Sequence, residues 1–195
     1  MNNIYAEILK RVENNEALTL KTEFTGSEGI MAESLKKTLA PYEPHTDMRG
    51  RCFADVTFEE SDDGHSVAGE PFSPPERLIV LGAGHIALPV CEFAAKSGFE
   101  VYVCDDRPSF ANEGRFPDAA QVLCDSFENC IRQLKITSYD YIVIITRGHT
   151  HDADCLREIF KGTQPAYLGL IGSRRRVKGL LEMLLAEGCP KEYTD

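Results

Sequence analysis

The chain has 195 residues, of which 43% are hydrophobic and 27% charged, and a formal net charge of −10. That length can bury an independent core as one large domain or two small ones, while so acidic a balance argues against a nucleic-acid partner, whose binding face would be basic. No apolar run approaches the roughly 18 residues needed to cross a membrane, and the start MNNIYAEILKRVENN lacks a signal-peptide layout, so a cytoplasmic protein with no membrane partner is expected.

In chain order, Ile4, Ile8, Leu9 and Val12 mark one face of a short helix, and Leu18, Leu20 and the residues to Phe24 alternate as in a strand. Residues 29–40, GIMAESLKKTLA, read as a second helix stopped by Pro41, and residues 51–60, RCFADVTFEE, alternate again. Together they predict a small α+β domain over residues 1–70, suited to packing or to forming a homodimer. Residues 62–76, DDGHSVAGEPFSPPE, are turn formers with three prolines, which predicts neither helix nor central strand. The domain boundary therefore falls near residue 71, with 71–76 as a proline-rich linker and 77–195 as the second domain.

That second domain is regular. Short apolar runs at residues 77–81, 100–104, 121–124, 141–145 and 166–171 are mostly separated by helix-length segments. Runs that are apolar on consecutive positions predict strands buried on both faces. The fold class is therefore α/β, a doubly wound parallel sheet of about five strands in the order 3-2-1-4-5, with ligands bound beyond the carboxyl ends of its strands.

The loops at that edge carry the chemistry. Gly82-Ala83-Gly84-His85-Ile86-Ala87 is a G-x-G-x-x-A turn between a strand and a helix, where backbone N–H groups and the helix dipole can receive a phosphate. Asp105 ends the second strand 23 residues after Gly82, the place for an acid that bonds ribose hydroxyls. Arg107, two residues on, suits a 2′-phosphate instead, so NAD, NADP and other pyrophosphates stay open. Gly172-Ser173-Arg174-Arg175-Arg176 is a second anion-capable turn opening a helix. Between them lies ITRGHTHDADC, residues 145–155. His149, His151 and Asp152 are candidates for proton handling, whereas H-x-H-D falls short of the three or four convergent ligands of a metal site, so no metal is expected. Thr150 or Asp152 would also suit the cap of the following helix, and Cys155 reads as a packed thiol or a reactive one near the helix dipole. The seven cysteines are odd in number and lack a C-x-x-C pair, which predicts reduced thiols.

Four stretches, LGAGHIALPV, VCDDRPSFANEGRFPDA, IITRGHTHD and LGLIGSRRR, occur in this order and spacing. They closely resemble the XdhC/CoxI family of accessory proteins for molybdenum hydroxylases such as xanthine dehydrogenase, over about residues 76–189. The resemblance implies a Rossmann-like domain and a maturation factor that binds the molybdenum cofactor, as molybdopterin or its dinucleotide, assists its sulfuration and hands it to the apo molybdenum hydroxylase. A cysteine desulfurase as sulfur donor fits that role. The family's shared positions fall on Gly82, Gly84, His85, Asp105, Asp106, Arg107, Arg115, Phe116, Thr146, Arg147, Gly148, His149, His151, Asp152, Gly172, Ser173, Arg174 and Arg175. Two departures stand out: Gly26-Ser27-Glu28-Gly29 is only a remnant of the family's G-S-x-P-R stretch, with no later C-G-G, and the family's P-I-G-L-x-I-G-A segment would fall beyond Asp195. An NAD(P)-dependent oxidoreductase and a regulatory nucleotide-binding module are the rival readings, and fold alone does not separate them.

Overall fold

The computed structural model of the protein describes residues 3–14, 16–25, 34–42, 45–46, 52–53, 56–60, 65–147 and 150–189. The chain forms two compact units, Met1–Pro74 and Pro75–Asp195.

In the first unit, helix α1 (Ile4–Glu13) is capped by Asn3, whose side chain accepts the Tyr5 N–H at 3.1 Å. Strands β1 (Leu18–Thr25), β2 (Ser34–Pro41), β5 (Thr57–Glu60) and β6 (His65–Phe72) form an antiparallel sheet in the order β2-β1-β6-β5. The short pair β3 (His45–Thr46) and β4 (Cys52–Phe53) stands apart from it. Ile8, Leu18 and Leu20 are buried together, with Ile4, Val12, Leu39 and Phe72 packed around them. Leu9, expected on the same helix face, is exposed.

Two sequence expectations fail here. Residues 34–41 are a strand, not the end of a helix, because Leu35 and Leu39 are four apart and four is an even number. That spacing places both on one face of a strand as readily as on one face of a helix, and β1 offers Phe24 and Leu20 directly opposite them. The stretch expected to hold no central strand forms β6, which lies between β1 and β5 over Ser66–Gly69. Pro71 is tolerated because β5 pairs β6 only from Ser66 to Gly69, so at Pro71 the strand has a neighbour on one side only.

The second unit is a five-stranded parallel sheet: β7 (Arg77–Leu81), β8 (Glu100–Asp105), β9 (Gln121–Cys124), β10 (Tyr141–Ile144) and β11 (Tyr167–Leu170), in the order β11-β10-β7-β8-β9. In chain order that is 3-2-1-4-5, as the sequence predicts. Leu78, Val80, Val101 and Val103 point to one face, where Ala87 and Cys91 of helix α2 (Ala87–Lys96) cover them. Ile79, Leu81, Cys104, Ile142 and Ile144 point to the other, against helices α3 (Phe127–Leu134), α4 (Thr150–Ile159) and α5 (Arg174–Ala186). Consecutive residues are buried because both faces are covered. The amino edge of the sheet is pinned by Arg77, which forks onto the buried Asp140 at 2.6 and 2.7 Å. No helix among the described residues is long and apolar enough to cross a membrane.

Candidate functional site

At the carboxyl edge, β7 runs into Gly82, whose φ is +118° and whose N–H donates to the Cys104 carbonyl at 2.8 Å. A Cβ there would lie 2.5 Å from the Ile145 carbonyl oxygen. Gly82 is therefore demanded by the protein's own backbone, which lets the ends of β7 and β10 close up. Gly84 differs: a Cβ on it would meet nothing within 4 Å. The space above it is open, and from there a cleft of about 400 Å³ extends along His85, Ile86, Arg107, Phe110, Arg115, Thr146 and Arg147.

Asp105 organises this wall instead of facing the cleft. It is 1% exposed, and its carboxylate accepts four donors: the Ala83 N–H at 2.8 Å, the Arg107 N–H at 3.1 Å, and Arg107 Nε and Nη2 at 2.7 and 2.8 Å. Burial works against the charged carboxylate, but the Arg107 guanidinium and the two backbone N–H groups outweigh it and hold the carboxyl below the usual carboxylate range. In this arrangement no lone pair of Asp105 is left for a ribose hydroxyl, and the acid that faces outward is the exposed Asp106.

Arg107 stands over Phe110, its guanidinium carbon 3.8 Å from the ring centre. Arg115 also lies over Phe110, at 4.9 Å, and its Nη1 donates to the Ala83 and Phe110 carbonyls at 2.8 and 2.9 Å. Phe116 is buried beneath. The glycine turn is thus held from two sides, by Asp105 through an N–H and by Arg115 through a carbonyl. Helix α2 starts beside it with Ile86 at the cap position, no capping side chain and no acidic residue in its first turn. Among the described residues no side chain meets its positive end as a cap, whereas Ser126 caps α3 by accepting the Asn129 N–H at 3.3 Å.

The loop after β10 is tied down separately. The Thr146 hydroxyl donates to the buried Asp152 at 2.5 Å, and Asp152 accepts Arg176 Nη2 at 3.2 Å. The same Nη2 donates to the Ile171 carbonyl at 2.8 Å. Asp152, expected as a proton-handling group, is thus a buried link between the β10 and β11 loops. His151 packs against the Phe127 ring at 5.2 Å, on the α3 face of the sheet, and does not line the cleft. Gly148 and His149 lie outside the described residues. Cys155 is fully buried and burial pushes its thiol up, as it pushes Cys91 up to about 12, so both are packing groups and not nucleophiles. Among the described residues no cluster of ligating side chains could hold a metal ion.

The second turn borders an open cavity of about 500 Å³ lined by Gly172, Arg174 and Lys178 among others. Gly172, Ser173, Arg174 and Arg175 are exposed, and Ser173 stands at the α5 cap without a side-chain hydrogen bond. A Cβ on Gly172 would fall 2.6 Å from Arg176 Nη2, so this glycine makes room for the protein's own guanidinium. Spacing along the chain does not single out Arg176 within the basic run. Its neighbours are identical in type, and only the helix phase decides which of the three turns inward.

The family model of the XdhC Rossmann domain matches residues 78–195. The chain is 34% identical over 108 residues to a Bacillus subtilis (strain 168) protein described as a probable xanthine dehydrogenase subunit, covering 55% of this chain and 32% of that protein. It is 32% identical over 119 residues to the uncharacterized protein YqeB of Escherichia coli (strain K12), covering 60% of this chain and 21% of that protein. A crystal structure described as a xanthine dehydrogenase from Bacillus halodurans superposes with a TM-score of 0.68 at 22% identity, over 90% of this chain and 54% of that one. The chain thus spans about a third and a fifth of these two curated relatives, and the solved structure, at this identity, supports the fold. With the matched family model covering the whole second unit but its first residues, the chain belongs to the XdhC family, and its parallel-sheet unit is an XdhC Rossmann domain.

Proposed function

We propose that the chain is a maturation factor that holds the molybdenum cofactor in the cleft over Gly84, assists its sulfuration and passes it to an apo molybdenum hydroxylase of the xanthine dehydrogenase type. One observation carries the reading. In a chain of net charge −10, the cleft is lined by Arg107, Arg115, Arg147 and His85, and by no acidic side chain among the described residues. Such a wall favours an anion, and the uncapped start of α2 and the close Arg107–Phe110 pair suit a ligand that joins a phosphate to a planar ring. The residues present therefore fit molybdopterin or its dinucleotide, with Arg107, Arg115 and the 82–87 turn holding it and Arg147 guarding the mouth. The cofactor, when bound, supplies the molybdenum and the pterin; the chain supplies binding, orientation and shelter from water.

No cysteine is among the described residues that line the cleft, so sulfur would come from a separate donor, such as a cysteine desulfurase. The relation to a protein described as a probable xanthine dehydrogenase subunit supports the choice of hydroxylase partner. The same reading places the protein in the cytoplasm, as a homodimer through its first unit, which light scattering after size exclusion would test.

The decisive experiment purifies the protein from a molybdenum-replete host, measures pterin fluorescence and molybdenum content, and adds it to an apo-hydroxylase. Near-stoichiometric pterin and metal, with reconstitution weakened several-fold by Arg147→Gln, are the expected result. Retention of NAD(H) alone, with hydride transfer and no stimulation of the apo-hydroxylase, would replace the proposal by the NAD(P)-dependent oxidoreductase.

A further inference from the structure

The wall beside Phe110 also bears on which anion the cleft takes. In a doubly wound fold, an acid at the end of the second strand selects a nucleotide by bonding the free diol of its ribose. Here that acid is Asp105, and it is 1% exposed with its four acceptor positions filled by the Ala83 N–H and by three N–H groups of Arg107. What stands in its place is the guanidinium that closes over it. Arg107 spends Nε and Nη2 on Asp105 and stands over Phe110 at 3.8 Å. Among the described residues its Nη1 has no acceptor, and the side chain is 23% exposed at the cleft wall. The fork is fixed in orientation from two directions before any ligand arrives, so little rotamer entropy is lost when it binds one. A phosphomonoester offers a dianion to that Nη1 edge, and Arg115, which lines the same cleft, keeps Nε and Nη2 without an acceptor among the described residues. A ribose diol offers hydroxyl donors that the saturated Asp105 cannot accept, which leaves it the exposed Asp106, whose Oδ1 lies 3.8 Å from Arg107 Nε.

We infer that Arg107 is the specificity-determining residue of the cleft, and that it favours ligands carrying a phosphomonoester beside their ring system over the same ligands without it. The inference rests on the cleft being the ligand site, as proposed above, but not on that ligand containing molybdenum. Two sources share the chemistry: a nucleotide with a 2′-phosphate, and a pterin with a phosphorylated side chain.

Titration calorimetry on the full chain separates them with two matched pairs, NADP+ against NAD+ and 6-hydroxymethylpterin monophosphate against 6-hydroxymethylpterin. In at least one pair the phosphorylated member binds at least 10-fold more tightly, and the pair that shows it identifies the source. Arg107→Gln removes most of that preference. Arg107→Lys keeps a cation next to Asp105, so the fold survives if Gln is not tolerated, but it loses the planar fork and should retain no more than a third of the preference. Lys96→Gln, exposed in the last turn of α2, leaves it unchanged. Equal affinity within both pairs, no binding of any of the four, or a preference untouched by both Arg107 variants overturns the inference. A phosphate preference that depends on Arg107, in a protein that fails to reconstitute the apo-hydroxylase, upholds this inference while removing the maturation role; reconstitution without the preference does the opposite.

Discussion

The two glycine turns of the parallel sheet look alike in sequence and use their glycines differently. Each follows a strand, opens a helix that no side chain caps, and has no acid in its first helical turn. After β7, the open space above Gly84 belongs to a cleft. After β11, the Cβ position of Gly172 is taken by Arg176, which is drawn there by Asp152 and the Ile171 carbonyl, while the outer side of the turn borders a cavity of about 500 Å³ along Arg174 and Lys178. A glycine that follows a strand states that something comes close to the backbone. Whether that is a ligand or another part of the chain depends on residues far away in sequence.

Substitutions at three glycines turn this contrast into numbers. Gly82→Ala should be the most damaging, because it combines a positive φ with a Cβ 2.5 Å from a backbone carbonyl that cannot move aside; a loss of about 3 kcal/mol is expected in chemical denaturation. Gly172→Ala meets only the tip of a side chain, and should cost about 1 to 2 kcal/mol by pushing Arg176 off Asp152. In an Arg176→Ala background the same change should cost almost nothing, and a double-mutant cycle showing simple additivity would mean that Gly172 does not serve Arg176.

Asp105 gives the next effect, read along the pH axis. Its native pKa is depressed, so its stabilisation is complete above the unfolded carboxyl value of about 4 and is lost as the pH falls through the lower native value. Asp105→Asn should therefore lower stability at neutral pH and flatten the acid limb between about pH 4 and the native pKa. An acid limb as steep as in the unmodified protein would show that the Arg107 pairing contributes nothing to the fold. Gly84→Ala should be the mildest for stability, within about 0.5 kcal/mol, since its Cβ enters open space. Calorimetry should nevertheless show weakened ligand binding, because the methyl group occupies the approach to the turn.

How much of this is legible in the sequence varies with the range over which the information is carried. The parallel sheet is legible because burial on both faces leaves runs such as RLIVL and YIVI, too short for a buried helix and without the polar alternation of a half-exposed strand. The first unit is less so. Leu35 and Leu39 fit two periodicities at once, and Pro71 hides a strand whose partner β5 is short. At the site, the sequence identifies the turn at Gly82 and Gly84, the pair Asp105 and Arg107, and the position of Thr146. It does not show that Arg107 saturates Asp105, that His151 turns to Phe127, or that Phe110 forms the floor under two arginines.

By itself the sequence determined the order of strands and helices in the parallel-sheet unit, and with it the edge at which the charged loops of that unit emerge, because local periodicity and turn chemistry are short-range properties of the chain. Only the tertiary structure decided which of those loops stay open. That depends on which donors and acceptors satisfy one another across the sheet edge, as Asp105 with Arg107 and Asp152 with Arg176 do. A buried charge takes the partner that lies nearest in space once it is desolvated, and spacing along the chain does not name that partner.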